Sequence, residues 1–255
     1  MTFSVKRYEL VAVLVAALLV GAVGLTWGME KNGAEELFTK MEEKLLKADT
    51  LQVTLQTSIK RPEEVEIKAA IFLQEGNKAR MEMDYGALAL PLPPTIISNG
   101  TKWKGIAPGV HLSELDTPSN LNRILTLAVT RGGTTAIVYW LRSPERKAGE
   151  EEPDPETWLC VSEFTLGNQE EINGHHAQAI HFKLESGTIR TSEAMVTLWL
   201  DRDTLLPIRR VFVSVQGDGE STTTETFHDL KLNEKIASSQ FELPGTFDDT
   251  IHNPK

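Results

Sequence analysis

The feature that most constrains the fold is a strict alternation of apolar and polar side chains between residues 51 and 85. Apolar positions recur at every second residue in three successive runs, which are separated by Arg61-Pro62-Glu63 and Glu75-Gly76-Asn77. A period of two places successive side chains on opposite faces of a strand. Short turns between such runs predict an antiparallel meander with one buried face. The apolar positions are Leu51, Val53, Leu55 and Ile59, then Val65, Ile67, Ala69, Ile71 and Leu73, then Ala79, Met81, Met83 and Tyr85.

Further strands and two helices are predicted from the rest of the chain. Residues 33–48 carry their apolar side chains at helical spacing, which indicates an amphipathic helix. A short second helix is indicated by Leu121, Ile124, Leu125 and Ala128, and strand character returns at Thr134–Leu141. The pair Asn99-Gly100 is typical of a tight hairpin turn. After Trp158 strands alternate with turns, which we place at Ile172-Asn173-Gly174, Asp201–Pro207 and Gly217-Asp218-Gly219.

Two segments interrupt this pattern. Residues 87–94 (ALALPLPP) are apolar and rich in proline, which excludes an interior strand. Residues 143–156 are densely charged and contain proline, as expected of a solvated loop. Because no Gly/Ser/Pro linker divides the chain after residue 30, we predict one α+β domain over residues 30–255, dominated by antiparallel sheet.

The N-terminal segment predicts export. Lys6 and Arg7 precede an uncharged run from Leu10 to Met29 that is strongly apolar up to Leu25. This arrangement is typical of a cleaved secretory signal or of a single N-terminal membrane anchor. Basic residues before the run place the N-terminus in the cytoplasm and the rest outside. We therefore expect residues 1–29 to be a signal peptide or an inner-membrane anchor, and the domain to lie in the periplasm or cell envelope.

Composition excludes several classes of function. The formal net charge of −10 argues against a nucleic-acid-binding protein. The single cysteine, Cys160, excludes an intrachain disulfide and a multi-cysteine zinc site, and its alternating strand context favours a structural thiol over a nucleophile. His175, His176 and His181 raise the idea of a metal site, but adjacent strand residues point to opposite faces, so we predict none. No enzyme motif is present, and we predict a non-enzymatic protein without cofactors.

An antiparallel sheet with two evident helices leaves an apolar face that must be covered or must bind something. The helix at 33–48, the segment at 87–94 and the helix beginning at Leu121 are the elements available to cover it. If they act as lids over this face, an apolar cavity for acyl chains results. If they pack tightly, they form an ordinary core. The residue pattern alone leaves both alternatives open.

The order of several short motifs resembles the outer-membrane lipoprotein carrier (LolA/LolB-like) superfamily. The stretch Ile97 to Trp103 is similar to a hairpin of that family. Leu198-Trp199-Leu200-Asp201, Thr204-Leu205-Leu206-Pro207, the stretch Thr226 to Asn233, and Phe241-Glu242-Leu243-Pro244 resemble its closing segment. The likeness spans roughly residues 33–247.

This resemblance implies an incomplete, open antiparallel β-barrel with helices as a lid, whose inner face binds acyl chains of lipids or lipidated proteins. It also implies an arginine that helps to close the lid. Arg80 is the nearest candidate, although alternation places it on the polar side of its strand, where a solvated arginine is the alternative. The predicted lid and cavity residues are Leu88, Leu90 and Leu92 in the proline-rich segment, and Leu121, Ile124 and Leu125 in the short helix. The alternative function is a membrane-tethered regulatory or scaffolding protein that uses the same fold for protein contacts.

Overall fold

Strands make up most of the described chain, as the alternation predicts. The computed structural model describes residues 33–60, 64–86, 95–107, 110–111, 114–134, 136–137, 154–186, 192–216 and 219–244. The strands are β1 (Thr50–Lys60), β2 (Glu64–Gln74), β3 (Lys78–Asp84), β4 (Thr95–Asn99), β5 (Lys102–Ala107), β6 (Val110–His111), β7 (Leu115–Asp116), β8 (Leu159–Ile172), β9 (His175–Ser186), β10 (Ser192–Asp201), β11 (Pro207–Gln216) and β12 (Gly219–Leu232).

These strands form one curved, open antiparallel sheet. Its order is β6-β5-β4-β3-β2-β1-β12-β11-β10-β9-β8, with β7 pairing β5 off this path. Two meanders, β1 to β6 and β8 to β12, are joined side by side where β1 pairs with β12. The predicted fold class, an α+β fold built on an open antiparallel sheet with few helices, is confirmed.

The tight turns follow the local chemistry of their residues. Between β4 and β5, Asn99 Oδ1 accepts hydrogen bonds from the backbone N–H groups of Thr101 and Lys102, and Gly100 has φ of 98°. Between β8 and β9, Asn173 and Gly174 both have positive φ, 52° and 81°, as a two-residue type I′ hairpin turn requires. The predicted hairpin turns at both places are confirmed.

Helices cover one face of the sheet, which we call the inner face. Helix α1 comprises residues 33–46 and buries Ala34, Phe38, Met41 and Leu45. The ring of Phe38 lies 5.1 Å from those of both Phe164 and Phe182, which reach it from β8 and β9. Helix α2 (Leu121–Leu127) continues into a wider π-helical turn, Ala128–Gly132. A single turn, α3 (Pro155–Trp158), precedes β8, and a 3-10 turn (Ser238–Phe241) follows β12.

The apolar core lies between the sheet and these helices. It includes the inner-face residues that the alternation predicts, among them Leu51, Val53 and Leu55 of β1, and the buried stripes of α1 and α2. Burial of this apolar surface is the main force that holds the helices on the sheet.

One predicted element is wrong over its described part. Thr134–Leu141 was expected to be a strand, but residues 134 and 136–137 are helical. The physical reason is tertiary, because Thr134 donates its backbone N–H to Glu225 Oε1 at 2.7 Å and its hydroxyl lies 3.0 Å from that of Thr57. These buried hydrogen bonds outweigh the preference of a β-branched run for extended backbone.

Several predictions fall outside the described residues. The N-terminal signal or anchor at residues 1–29, the apolar segment at 87–94 and most of the charged loop at 143–156 are among them. No helix within the described ranges has both the length and the apolar character that a membrane crossing requires.

Candidate functional site

The three helical residues predicted for the lid lie at the contact between α2 and the sheet. Leu121, Ile124 and Leu125 are at most 2% exposed and belong to the apolar core. This helix therefore covers the inner face, and its side chains fill the space beneath it. Their role in binding a ligand stays a prediction. Leu88, Leu90 and Leu92 lie outside the described residues.

Arg80 lies on the opposite, outer face of β3. Its guanidinium is ion-paired with Glu82 at 2.6 Å, and Nη1 lies 3.4 Å from the carbonyl oxygen of Gln240 in the 3-10 turn. The expectation that it shares the polar side of its strand agrees with these contacts. Both contacts are on the face away from α1 and α2, so they do not test a role for Arg80 in closing the lid. That role stays a prediction.

A different arginine contacts the helices from the sheet. Arg210 of β11 is fully buried on the inner face, where its Nη1 donates hydrogen bonds to the carbonyl oxygens of Val129 and Thr130 at 2.8 and 2.7 Å. These carbonyls belong to the π-helical turn at the end of α2. A cation at the carboxyl end of a helix also interacts favourably with its dipole.

The charge of Arg210 is balanced by Glu225, its cross-strand partner on β12. Glu225 is fully buried as well, and its Oε2 accepts hydrogen bonds from Nη2 and Nε of Arg210. Its Oε1 accepts from the backbone N–H of Thr134 at 2.7 Å and from the Thr57 hydroxyl at 3.3 Å. Arg210, Glu225, Thr57 and Thr134 form what we call the inner polar cluster. It binds the end of one helical segment through the arginine and the start of the next through the glutamate.

The register of the sheet explains this convergence. Thr57 pairs with Glu225, and Glu225 pairs with Arg210, so the three inward side chains stand in one row across β1, β12 and β11. Gly133, at φ of 63°, lies directly over the Glu225 carboxylate. The helix therefore breaks at a glycine with positive φ, directly over a row of polar side chains in an otherwise apolar interior.

A second buried ion pair joins the two helices to each other. Arg131 of the π-helical turn donates through Nε and Nη2 to the two oxygens of Glu42 on α1, at 2.8 and 2.7 Å. Its Nη1 donates to the carbonyl oxygen of Leu159 at the start of β8, at 3.0 Å. Burial acts to lower the pKa of Arg131, but the hydrogen bond and charge of Glu42 outweigh it and raise the pKa. Arg131 therefore stays charged, and α1, the π-helical turn and β8 are held together.

The other sequence candidates for chemistry are dispersed. His175 contacts Asp201 at 2.7 Å, whereas His181 contacts Thr197 on the outer face at 2.9 Å. Cys160 is exposed, with its Sγ 3.4 Å from the carbonyl oxygen of Glu156. Among the residues that the structure describes, no group of three histidine, cysteine, aspartate or glutamate side chains is placed to bind a metal ion.

Sequence reasoning missed the four charged residues of these two buried ion pairs, although three of them left a signal. Arg209 and Arg210 are adjacent in a strand, so a period of two must turn one of them inward. Glu225 shares the face of Phe227, two residues away, and Glu42 falls on the apolar stripe of α1 between Phe38 and Leu45. Arg131 gave no such pattern, because it lies in a turn beyond the predicted helix.

Comparison with solved structures finds proteins of similar architecture at low sequence identity. A LolA superfamily protein from Nitrosomonas europaea is 11% identical, with a TM-score of 0.36 over 82% of this chain and 97% of that one. The Mycobacterium tuberculosis lipoprotein LppX is 12% identical, with a TM-score of 0.38 over 80% of this chain and 98% of that one. A chain of the Pseudomonas aeruginosa MucA/MucB complex is 13% identical, with a TM-score of 0.40; the match covers 83% of this chain and 61% of that one.

Proteins of the superfamily that the motifs resemble are thus among the solved structures to which this chain is similar. No family model matches the sequence, and no curated protein matches it. At these TM-scores the similarity assigns no function.

Proposed function

We propose that the chain is an exported, non-enzymatic protein that binds acyl chains of lipids or lipidated proteins on the inner face of its sheet. Helices α1 and α2, with the π-helical turn, form the lid in this proposal. The observation that carries it is the inner polar cluster, in which Arg210 holds the end of α2 by two hydrogen bonds inside an apolar shell.

A buried ion pair is weak evidence for stability. Replacing such a pair by apolar residues of similar volume is often neutral or stabilising, because both charges lose their hydration. Arg210 and Glu225 are both fully buried between sheet and helix. We infer that the directional hydrogen bonds of this pair instead fix where the helices lie on the sheet, and that the helices leave the sheet when these bonds break.

Release would uncover an apolar face suited to a hydrocarbon chain. The inner face beneath α1 and α2 is lined by aliphatic and aromatic side chains, including Phe164 and Phe182. An acyl chain gains about 0.8 kcal/mol for each CH₂ removed from water, so a chain of ordinary length can offset the cost of moving the helices. The ligand would thus replace the side chains that the lid contributes to the core.

Native mass spectrometry with organic extraction tests this proposal on the protein isolated from the cell envelope. We expect co-purifying mass that extracts as phospholipid, fatty acid or acylated peptide, and saturable uptake of a fluorescent fatty acid. Fractionation and intact mass on the same sample test export and show whether residues 1–29 are cleaved. A ligand-free mass that stays unchanged after lipid challenge would contradict acyl binding.

The second candidate is a membrane-tethered regulatory or scaffolding protein, and the packed interior is the observation that favours it. Leu121, Ile124 and Leu125 fill the inner face in the structure, as they would in a domain that uses only its outer surface. This candidate predicts the ligand-free mass described above, together with an intact N-terminal segment in the membrane fraction.

A further inference from the structure

The hydrogen bonds of Arg210 belong to two different parts of the molecule. Arg210 and Glu225 are cross-strand partners on β11 and β12, and Nε and Nη2 of the arginine bind the carboxylate within the sheet. Nη1 instead donates to the carbonyl oxygens of Val129 and Thr130 in the π-helical turn, at 2.8 and 2.7 Å. Departure of the helices would therefore leave the ion pair in place but take both acceptors away from Nη1.

The surroundings of Nη1 make the loss of these acceptors costly. Arg210 is fully buried, and its Cζ lies 4.8 and 5.3 Å from the ring centres of Phe212 and Phe227. A donor that is left without an acceptor in apolar surroundings costs more free energy than a typical hydrogen bond contributes. A ligand that takes the place of the helices therefore binds more tightly if it brings an acceptor to Nη1.

The charge of the ion pair selects the kind of acceptor. Glu225 already balances the charge of Arg210, so the pair as a whole is neutral. An anionic acceptor would add an uncompensated charge to this interior, whereas a neutral carbonyl would not. The two acceptors that Nη1 has in the structure are neutral amide carbonyls. The carbonyl of an acyl ester or an acyl amide offers a ligand the same chemistry.

We infer that Arg210 selects ligands in which the acyl chain ends in a neutral ester or amide carbonyl, in preference to free fatty-acid anions. The carbonyl oxygen accepts from Nη1 in the place of Val129 and Thr130, and the hydrocarbon chain lies on the apolar inner face. The inference rests on the proposed function, because Nη1 becomes accessible only after the helices have left the sheet.

Four probes with the same hydrocarbon tail test the inference on the protein isolated from the cell envelope. Monodecanoylglycerol carries an ester carbonyl, N-decanoyl aminopropanediol carries an amide carbonyl, monodecylglyceryl ether carries no carbonyl, and decanoate carries a charge. Each is titrated by calorimetry below the concentration at which it forms micelles. We expect the ester or the amide to bind about tenfold more tightly than the ether, and decanoate to bind more weakly than either carbonyl probe. The tighter of the two carbonyl probes distinguishes an acylglycerol from an N-acylated peptide as the source.

Matched variants show whether Arg210 causes this preference. Arg210→Met with Glu225→Leu removes both charges, so the ester, the amide and the ether should then bind with equal affinity. Arg209→Met is the control and should keep the preference, because Arg209 stacks on Trp199 on the outer face. Infrared spectroscopy of the unchanged protein gives a readout that needs no variant. A ¹³C-labelled ester carbonyl should absorb at lower frequency when bound than in an apolar solvent, as a hydrogen bond from Nη1 requires.

Three results would overturn the inference. One is equal binding of the ether and both carbonyl probes, a second is decanoate binding as tightly as the ester, and the third is a preference for the carbonyl that survives in the double variant. In each of these cases the probes still bind, so the proposed function stands. Absence of binding by all four probes would overturn the proposed function and the inference with it, so the two failures are distinguishable.

Discussion

Gly133 and Glu225 approach each other so closely that a Cβ atom at Gly133 would overlap the Glu225 carboxylate. Gly133 also has φ of 63°, in the left-handed region that L side chains rarely adopt. Glycine is therefore required at this position for two reasons, its backbone conformation and its lack of a side chain. The close approach lets the glutamate bind Thr134 directly and so ties the helix break to the sheet.

Gly133→Ala should destabilise the protein by about 2–3 kcal/mol, because left-handed strain adds to the displacement of a buried carboxylate. Urea denaturation measures the loss as a lower midpoint at unchanged slope. Gly174→Ala is the matched control, since Gly174 has φ of 81° but open space around its Cβ position. The control should lose about 1 kcal/mol. Equal losses at both positions would show that overlap with Glu225 contributes nothing.

Glu42→Gln should cost about 3 kcal/mol of stability, because it removes the buried carboxylate that binds two nitrogens of Arg131 and leaves only Glu156, at 3.9 Å, as a counter-charge. The adjacent Glu43 is the control, since it is exposed and pairs with Lys47, and Glu43→Gln should leave the denaturation midpoint nearly unchanged. A double-mutant cycle with Arg131→Met measures the coupling between the two residues. Coupling near zero would contradict the role given to this pair in joining α1 to the π-helical turn.

Asp201 should make stability dependent on pH in the acid range. Burial on its own would raise the pKa of this carboxyl, but hydrogen bonds from the Thr204 backbone, the His175 ring and the Thr204 hydroxyl lower its pKa below the ordinary 3.8. A depressed pKa stabilises the folded state above the unfolded value, and this stabilisation is lost as the pH falls through the folded pKa.

Asp201→Asn should therefore lower the free energy of unfolding by about 1 kcal/mol at about pH 7, and the difference from the unchanged protein should shrink below about pH 4. Denaturation at a series of pH values measures both quantities. Asp203→Asn, in the same turn and exposed, should show no such trend. A difference that grows as the pH falls would contradict the sign of this effect.

The sheet could be predicted from the sequence because its signal is local. Alternation in β1, β2 and β3 gives the strands and the buried face, and Asn-Gly pairs give two of the turns. The predicted helix at 33–48 ends only two residues beyond the observed end of α1, because the apolar stripe of this helix repeats over three turns.

The inner polar cluster could not be predicted in the same way, because it is assembled by register. Thr57, Glu225 and Arg210 lie far apart in the chain and meet only because β12 pairs with both β1 and β11. Local patterns could reveal that Arg210 or Arg209 faces inward, but not which helix it would contact. The helical conformation near Thr134 depends on that same contact, which explains why strand was predicted there.

Removing the inner polar cluster should accelerate uptake of a fluorescent fatty acid if the helices act as a lid. The informative variant combines Arg210→Met with Glu225→Leu, since Arg210→Met alone would leave a buried carboxylate unpaired and cost about 3 kcal/mol or more. Loss of two hydrogen bonds to Val129 and Thr130 should raise the released population, and hence the uptake rate, about tenfold or more. Arg209→Met is the matched control and should leave uptake unchanged, because Arg209 stacks on Trp199 on the outer face, 4.0 Å from the centre of its ring.

Arg80→Met tests the role that the sequence resemblance implies for that residue. If the double variant binds the probe at the rate of the unchanged protein while Arg80→Met binds it faster, lid closure belongs to Arg80, and the inner polar cluster is only a structural support of the fold.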